Sequence, residues 1–170
     1  MRWSRFSYIK TLMVFAVILS FGSCSKKMED TFPFSQTEKI EVISYPERNY
    51  WDTLRRGPRD GMGLVVENKK LILDSSYIKE RFFLDDKEKE HIFNILYRNP
   101  SDMECTVASC FIPRHSILFY NKKKEIIADL EICFGCGTSD GSFKYNPICH
   151  DELNELKAIF KEAGIKYFGE

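Results

Sequence analysis

Alternating apolar and polar residues mark two neighbouring strand-like runs near the middle of the chain. The runs flank residues 121–124, whose sequence Asn-Lys-Lys-Lys is typical of a solvated turn. Together they predict an antiparallel hairpin. If Tyr120 faces Glu125 across this turn, Arg114 faces Glu131 further along the ladder.

In that register the hairpin has one apolar and one polar side, because successive side chains of a strand point to opposite faces. The apolar side contains Ile117, Phe119, Ile126, Ala128, Leu130 and Ile132. The polar side contains Cys110, Arg114, Asp129, Glu131 and Cys133. We expect the apolar side to face the core, Arg114 to pair with Glu131, and Cys110 to approach Cys133 and Cys136.

Two segments have the apolar spacing of amphipathic helices. The first begins with Asp85 and Glu88, which form a capping-box pattern, and ends before residues 99–100, Asn-Pro. The second covers residues 151–163 and is followed by Gly164 as its stop. Its apolar stripe contains Leu153, Leu156, Phe160 and Ala163.

Further extended segments are predicted from short alternating runs. They cover residues 39–45, 62–67, 70–73, 77–84 and 165–168. In residues 77–84 the spacing of Ile78, Phe82 and Phe83 also suits a helix. The order of elements contains hairpins rather than regular βαβ units. It therefore favours an α+β fold, with a mainly antiparallel sheet of hairpins and two helices packed on one face. We expect residues 40–170 to form one such domain.

The first 23 residues are typical of a bacterial lipoprotein signal peptide. Arg2, Arg5 and Lys10 precede a short apolar core, and Gly22-Ser23 leads directly to Cys24. This similarity implies cleavage before Cys24 and attachment of lipid to its sulfur. The alternatives are an ordinary secreted protein in which Cys24 is incidental, and an uncleaved anchor, for which the apolar run is short.

Composition and charge then narrow the possible partners. Residues 24–39 are mostly polar and predict a flexible tether that follows the lipidated cysteine. The whole chain has 25 basic and 25 acidic residues, so loss of the three basic residues of the signal leaves a charge of about −3. A mildly acidic domain without a basic block argues against binding to nucleic acid.

Five cysteines remain once Cys24 is assigned to the lipid. They are Cys105, Cys110, Cys133, Cys136 and Cys149. In an exported domain such cysteines form disulfides, although the odd number leaves one of them over. The spacing of Cys133 and Cys136 also suits a zinc site, assisted by Cys105, Cys110, or Cys149 with His150, or a thiol-active pair.

The histidines are weaker indicators of function. His115 is expected to face the core and His91 to lie partly exposed on the first helix, and both are explained by structural roles. Arg114, His115 and Glu131 remain a possible polar site. No serine-histidine-aspartate arrangement and no phosphate-binding loop is evident.

Two cysteine-containing stretches resemble a known pattern. Residues 110–120, CFIPRHSILFY, and 132–136, ICFGC, are similar to small uncharacterised lipoproteins of Bacteroidetes-type bacteria. The resemblance implies a domain of unknown function at the cell envelope, periplasmic or surface-facing. We therefore expect a lipid-anchored, non-catalytic binding or structural module without a cofactor, acting on an envelope protein or ligand. The alternative is a zinc-binding or thiol-active protein that uses Cys110, Cys133 and Cys136.

Overall fold

The computed structural model describes residues 26–52, 65–98 and 110–169. Its main sheet has five antiparallel strands in the order β4-β1-β5-β6-β7. They are β1 (Lys39–Ser44), β4 (Glu80–Phe83), β5 (His115–Tyr120), β6 (Ile126–Cys133) and β7 (Thr138–Gly141). A separate two-stranded hairpin contains β2 (Val66–Glu67) and β3 (Lys70–Leu71). The α+β prediction is confirmed.

Both helices pack on one face of the sheet. Helix α1 (Asp86–Tyr97) starts at the predicted capping box, in which Asp85 and Glu88 exchange hydrogen bonds of 2.8 Å. Helix α2 (His150–Ala163) ends at Gly164, whose φ of 116° is left-handed. Apolar side chains of both helices join those of β1, β5 and β6 in the larger core.

The opposite face of the sheet is covered by a smaller core. Tyr45 and Trp51, which follow β1, pack there with Ile43 and Leu118 of the sheet. Val65 and Leu73, which flank the β2–β3 hairpin, are buried in the same core. Glu131, which the sequence pattern places on the polar side of the hairpin, is consequently buried there together with Ser116.

The turn between β5 and β6 is at the predicted position, but the strand register differs. Ser116, rather than Arg114, is opposite Glu131. One residue of the shift arises at the turn, because Asn121 rather than Tyr120 is hydrogen-bonded to Glu125. A second arises from a bulge beyond Phe119. Two one-residue shifts together return side chains to the predicted faces.

The bulge leaves one prediction of the apolar face wrong. Ala128, Leu130 and Ile132 lie in the larger core as expected, whereas Ile126 lies in the smaller core on the other face. A bulge inserts an extra residue into one strand and so reverses the alternation beyond it. The partly buried Ile127 packs against the larger core instead.

The two ends of the domain also depart from the predicted elements. Residues 165–168 are not a strand, since the amides of Lys166 and Tyr167 donate to Glu80 Oε2 instead of to a ladder. At the other end, part of the predicted tether is packed. Phe34 is only 3 % exposed and contacts Phe93 and Phe119 in the larger core.

Candidate functional site

The Cys-Phe-Gly-Cys segment forms the connection between β6 and β7. Cys133 and Cys136 are joined by a disulfide, and Cys133 is opposite Thr138 in the ladder. A strand follows the motif, where a thioredoxin-type site has a helix. Residues 138–141, Thr-Ser-Asp-Gly, have the composition of a loop but form an edge strand through their pairing with β6.

This disulfide closes a very small loop. The sequence separation of its cysteines is 3, for which the chain-entropy model gives a stabilisation of only about 2 kcal/mol. The turn is also held by backbone hydrogen bonds, since the amides of Cys136 and Gly137 donate to the carbonyl of Cys133 at 3.2 and 3.0 Å. Gly137 has a φ of 71°, which favours glycine.

Polar side chains continue from this turn along one face of three adjacent strands. Ser116, Glu131 and Asp140 are in register across β5, β6 and β7, and Asp129 and Cys133 share the face by alternation. We call these five residues, together with Thr138, the polar face. The prediction that Asp129, Glu131 and Cys133 lie on one side is confirmed by this register.

Glu131 is the most strongly perturbed carboxyl group of the polar face. It is 3 % exposed. Burial raises the pKa of Glu131 to about 8, the Tyr45 hydrogen bond opposes that rise, and Asp129 adds to it. Burial likewise raises the pKa of Asp129, with Asp140 contributing in the same direction. At neutral pH Glu131 is therefore mostly protonated.

Tyr45 provides the hydrogen-bond partner of this carboxyl group. Its hydroxyl lies 2.8 Å from Glu131 Oε1 and 3.2 Å from the carbonyl oxygen of His115. A phenol has one hydrogen to donate. When Glu131 is protonated it donates to Tyr45, which then donates to the carbonyl of His115, so both contacts are hydrogen bonds. Burial, followed by the charge of Glu131, raises the pKa of Tyr45 well above its usual value.

A buried ion pair lies near the same carboxyl group. Arg48 Nε donates to Asp52 Oδ2 at 2.7 Å, and the side chain of Asp52 is 1 % exposed. The positive charge of Arg48 acts to lower the pKa of Glu131, but less than burial raises it. Neither Arg48 nor Asp52 was singled out from the sequence, because their segment reads as an irregular loop.

Two hydroxyl groups of the polar face are buried without a hydrogen bond. Ser116 Oγ and Thr138 Oγ1 have no partner among the described residues. Unpaired buried polar atoms are rare in folded proteins, and each one calls for an explanation. Sequence alone does not reveal them, since serine and threonine are ordinary strand residues.

His115 is buried on the opposite face of the sheet, as expected. Its Nε2 donates to the carbonyl oxygen of Tyr167 at 2.8 Å, and its ring stacks on Phe168 with centroids 4.8 Å apart. Burial lowers the pKa of His115 to about 4, with Lys157 and Arg114 acting in the same direction. The ring is neutral at physiological pH and has a structural role.

Arg114 is not part of the polar face. It precedes β5, and its guanidinium pairs with Glu47. The predicted ion pair between Arg114 and Glu131 is therefore wrong, because the register places Ser116 opposite Glu131. Arg114, His115 and Glu131 consequently do not form one polar site.

The remaining cysteines fall into three groups. Cys149 is disulfide-bonded and is the N-cap of α2, where its amide donates to Glu152 Oε2 at 3.0 Å. Cys110 is an exposed free thiol. Cys24 and Cys105 lie outside the described residues. His150 begins α2 with an exposed side chain and contacts Asn154.

The zinc alternative requires a set of side chains that could bind the ion, and the part of the chain that the structure describes contains no such set. No three His, Cys, Asp or Glu side chains there are placed to hold a metal ion. Cys133 and Cys136, the central pair of the predicted site, have their sulfurs joined to each other. The helices in the same part of the chain include none that is long and apolar enough to cross a membrane.

Comparison of the chain with models of protein families, with curated proteins and with solved structures finds no match. The resemblance of residues 110–120 and 132–136 to bacterial lipoproteins therefore stays a prediction. Function has to be inferred from the residues themselves.

Proposed function

We propose that the chain is a lipid-anchored protein of the bacterial cell envelope, attached to the membrane through Cys24. Its disulfide-containing domain binds an envelope protein or ligand and does not act as a hydrolytic or metal-dependent enzyme. The proposal combines the lipoprotein-type start of the sequence with the chemistry of the cysteines.

The observation that carries the proposal is the oxidised state of the domain. Cys133, Cys136 and Cys149 are all disulfide-bonded. Disulfides persist in exported proteins and are rare in the reducing cytosol. This supports the export that a basic segment, a short apolar core and a small-residue exit before Cys24 predict.

The use of the buried ionisable groups supports a binding role. Each face of the sheet has one buried ionisable group with a large pKa shift. Glu131 is hydrogen-bonded to Tyr45, and His115 is hydrogen-bonded to the carbonyl group of Tyr167. A histidine whose pKa is about 4 is a poor general base at neutral pH, since its lone pair is weakly basic. Both groups are used in contacts within the fold and do not form an acid–base pair that faces a substrate.

The anchor is tested with the full chain expressed in a bacterial host that processes lipoproteins. We expect wild type in the membrane fraction, with an N-terminal peptide that begins at Cys24 and carries the added mass of lipid. Cys24→Ala should lower membrane recovery at least about tenfold, whereas the control Cys110→Ala should not. Equal partitioning of wild type and Cys24→Ala would refute the anchor.

The state of the cysteines is tested by native intact mass of the same purified protein. We expect a mass deficit of two hydrogens for each disulfide and no metal adduct. A retained zinc ion together with a full set of thiols would refute the proposal and favour the metal-binding alternative.

A further inference from the structure

The Cys133–Cys136 disulfide adds little to a turn that is already held in place. The backbone hydrogen bonds to the carbonyl of Cys133 and the left-handed Gly137 fix the same connection. A crosslink between residues only three apart removes little freedom from the unfolded chain. Its reactivity towards thiols therefore explains the presence of this disulfide better than a contribution to stability does.

The two cysteines of the disulfide differ in their exposure to solvent. Cys133 is 2 % exposed, whereas Cys136 is partly exposed. Gly135, at the tip of the turn, has no neighbouring atom within 4 Å of the position that a Cβ would take. The tip of the turn next to Cys136 is therefore open, so we expect an incoming thiolate to attack Cys136, which makes Cys133 the leaving group.

The leaving sulfur accepts one hydrogen bond, and a second candidate donor is on the same face of the sheet. The amide of Cys136 donates to Cys133 Sγ at 3.2 Å. Thr138 is directly opposite Cys133 in the ladder, where the side chains of paired residues share one face and lie within reach of each other. Thr138 Oγ1 is buried and has no hydrogen-bond partner among the described residues. A thiolate released at Cys133 would supply the acceptor that this hydroxyl lacks.

We propose that Cys133–Cys136 is a thiol–disulfide exchange site that accepts electrons from a dithiol of another protein, with Thr138 as the donor to the released Cys133 thiolate. The inference deepens the assignment of an exported, oxidised domain and is independent of the lipid at Cys24. It adds an activity that a purely structural disulfide does not have.

The exchange consists of two balanced steps. A thiolate of the dithiol attacks Cys136 Sγ, a mixed disulfide forms there, and the electron pair of the broken bond goes to Cys133 Sγ. The second thiolate of the partner then attacks the partner's own sulfur in the mixed disulfide and expels Cys136 as a thiolate. The partner ends as a disulfide, and the chain gains two electrons and, after protonation of both thiolates, two protons.

The test measures reduction of the folded full-length protein by dithiothreitol, with alkylation and peptide mass spectrometry to follow each cysteine. We expect the Cys133–Cys136 bond to be reduced while the fold is intact, and the disulfide of Cys149 to be reduced more slowly. Thr138→Val should slow reduction at least about fivefold and raise the pKa of the Cys133 thiol. Thr138→Ser, which keeps the hydroxyl, should restore both.

Ser139→Ala is the matched control. Ser139 is the next residue of β7, is opposite Ile132 on the other face, and contacts Tyr145 rather than the turn. We expect it to be reduced at the rate of wild type. The proposal is overturned if Thr138→Val matches wild type in rate, or if the bond resists reduction until the chain unfolds.

A second pair of variants identifies the attacked sulfur without relying on Thr138. Cys133→Ala keeps the partly exposed Cys136, which should form a mixed disulfide with oxidised glutathione. Cys136→Ala keeps the buried Cys133, which should react at least about tenfold more slowly. Equal reactivity would contradict the proposed direction of attack, while recovery of both variants in the membrane fraction would leave the anchor proposal unaffected.

Discussion

The hydroxyl group of Tyr45 and the carboxyl group of Glu131 are joined by a hydrogen bond of 2.8 Å, across 86 residues of chain. The contact joins the residue that follows β1 to the centre of β6 and lies beneath the smaller core. Both side chains are almost completely removed from water. The pair therefore places an ionisable carboxyl group where its charged form is disfavoured.

Glu131→Gln should stabilise the protein at neutral and alkaline pH. The pKa of Glu131 is about 8 in the folded protein and about 4.5 when unperturbed, so the folded state binds its proton more tightly. In the wild-type protein, the stability that the protonated Glu131 contributes is fully present below about pH 4.5 and is lost as the pH rises through 8. Glutamine imitates the protonated form, and we expect a gain of about 3 to 5 kcal/mol at pH 8 and little at pH 4.5. Urea unfolding at both pH values measures it.

Glu41→Gln is the contrasting variant on the same sheet face. Glu41 is equally buried but accepts two hydrogen bonds from Arg81, at 2.7 and 2.9 Å. Loss of its charge weakens the hydrogen bonds to the half-exposed Arg81, so we expect destabilisation by about 1 to 2 kcal/mol at pH 7. A gain in stability for Glu41→Gln, or a loss for Glu131→Gln at pH 8, would contradict this interpretation of the two buried carboxyl groups.

His115→Phe should change the acid side of the stability profile. The pKa of His115 is lowered to about 4 from 6.5, so the stability it contributes is present above about pH 6.5 and is lost as the pH falls through 4. Phenylalanine keeps an aromatic ring against Phe134 and Phe168 but cannot donate to Tyr167. We expect the variant to be about 1 kcal/mol less stable at pH 7 and more stable than wild type at pH 4.

Stability curves of His115→Phe and wild type, measured by urea unfolding from pH 4 to 7, should therefore cross. Parallel curves would show that His115 does not titrate between these pH values.

Gly164→Ala should destabilise the protein at the end of α2. The φ of Gly164 is 116°, and a Cβ there would lie 2.8 Å from the ring of Phe82. Backbone strain and the clash together should cost about 2 kcal/mol or more. Gly135→Ala, where no atom lies within 4 Å of the Cβ position, is the control and should change stability by less than about 0.5 kcal/mol. Thermal unfolding of both variants measures the difference, and equal melting temperatures would contradict it.

Phe34→Ala should destabilise the domain even though Phe34 lies in the segment predicted as a tether. Its ring is 3 % exposed and packs edge-to-face on Phe93 and Phe119. Removal of a buried aromatic ring typically costs about 3 to 5 kcal/mol. Phe32→Ala removes a ring that is 41 % exposed, and we expect less than about 1 kcal/mol. Denaturant unfolding that shows no cost for Phe34→Ala would indicate that this segment is dispensable for the fold.

Features that depend on nearby residues could be predicted from sequence. The capping box of Asp85 and Glu88 and the stop at Gly164 involve groups within one helical turn. The position of the turn at residues 121–124 likewise follows from local composition. The apolar faces of the helices and of β5 were also predicted correctly, because apolar residues recur along the sequence with the period of the helix or strand that buries them.

Features that depend on distant partners could not be predicted. The sequence places Glu131 on a polar side and pairs it with Arg114, but the bulge beyond Phe119 and the hydrogen bond of Asn121 to Glu125 shift the ladder by two residues. Nothing in the local pattern of β6 indicates that Tyr45 and Trp51 cover the same face. The strand at residues 138–141 exists only through its pairing with β6.

The sequence by itself determined the fold class, the helices and the concentration of cysteines around one hairpin, because propensity, capping and hydrophobic period act over a few residues. Only the tertiary structure decided that the carboxyl group of Glu131 is buried beside Tyr45, and that Thr138 is opposite Cys133 with an unpaired hydroxyl. Burial and cross-strand partners depend on residues far apart in the chain. The chemistry of this protein is a property of those long-range contacts.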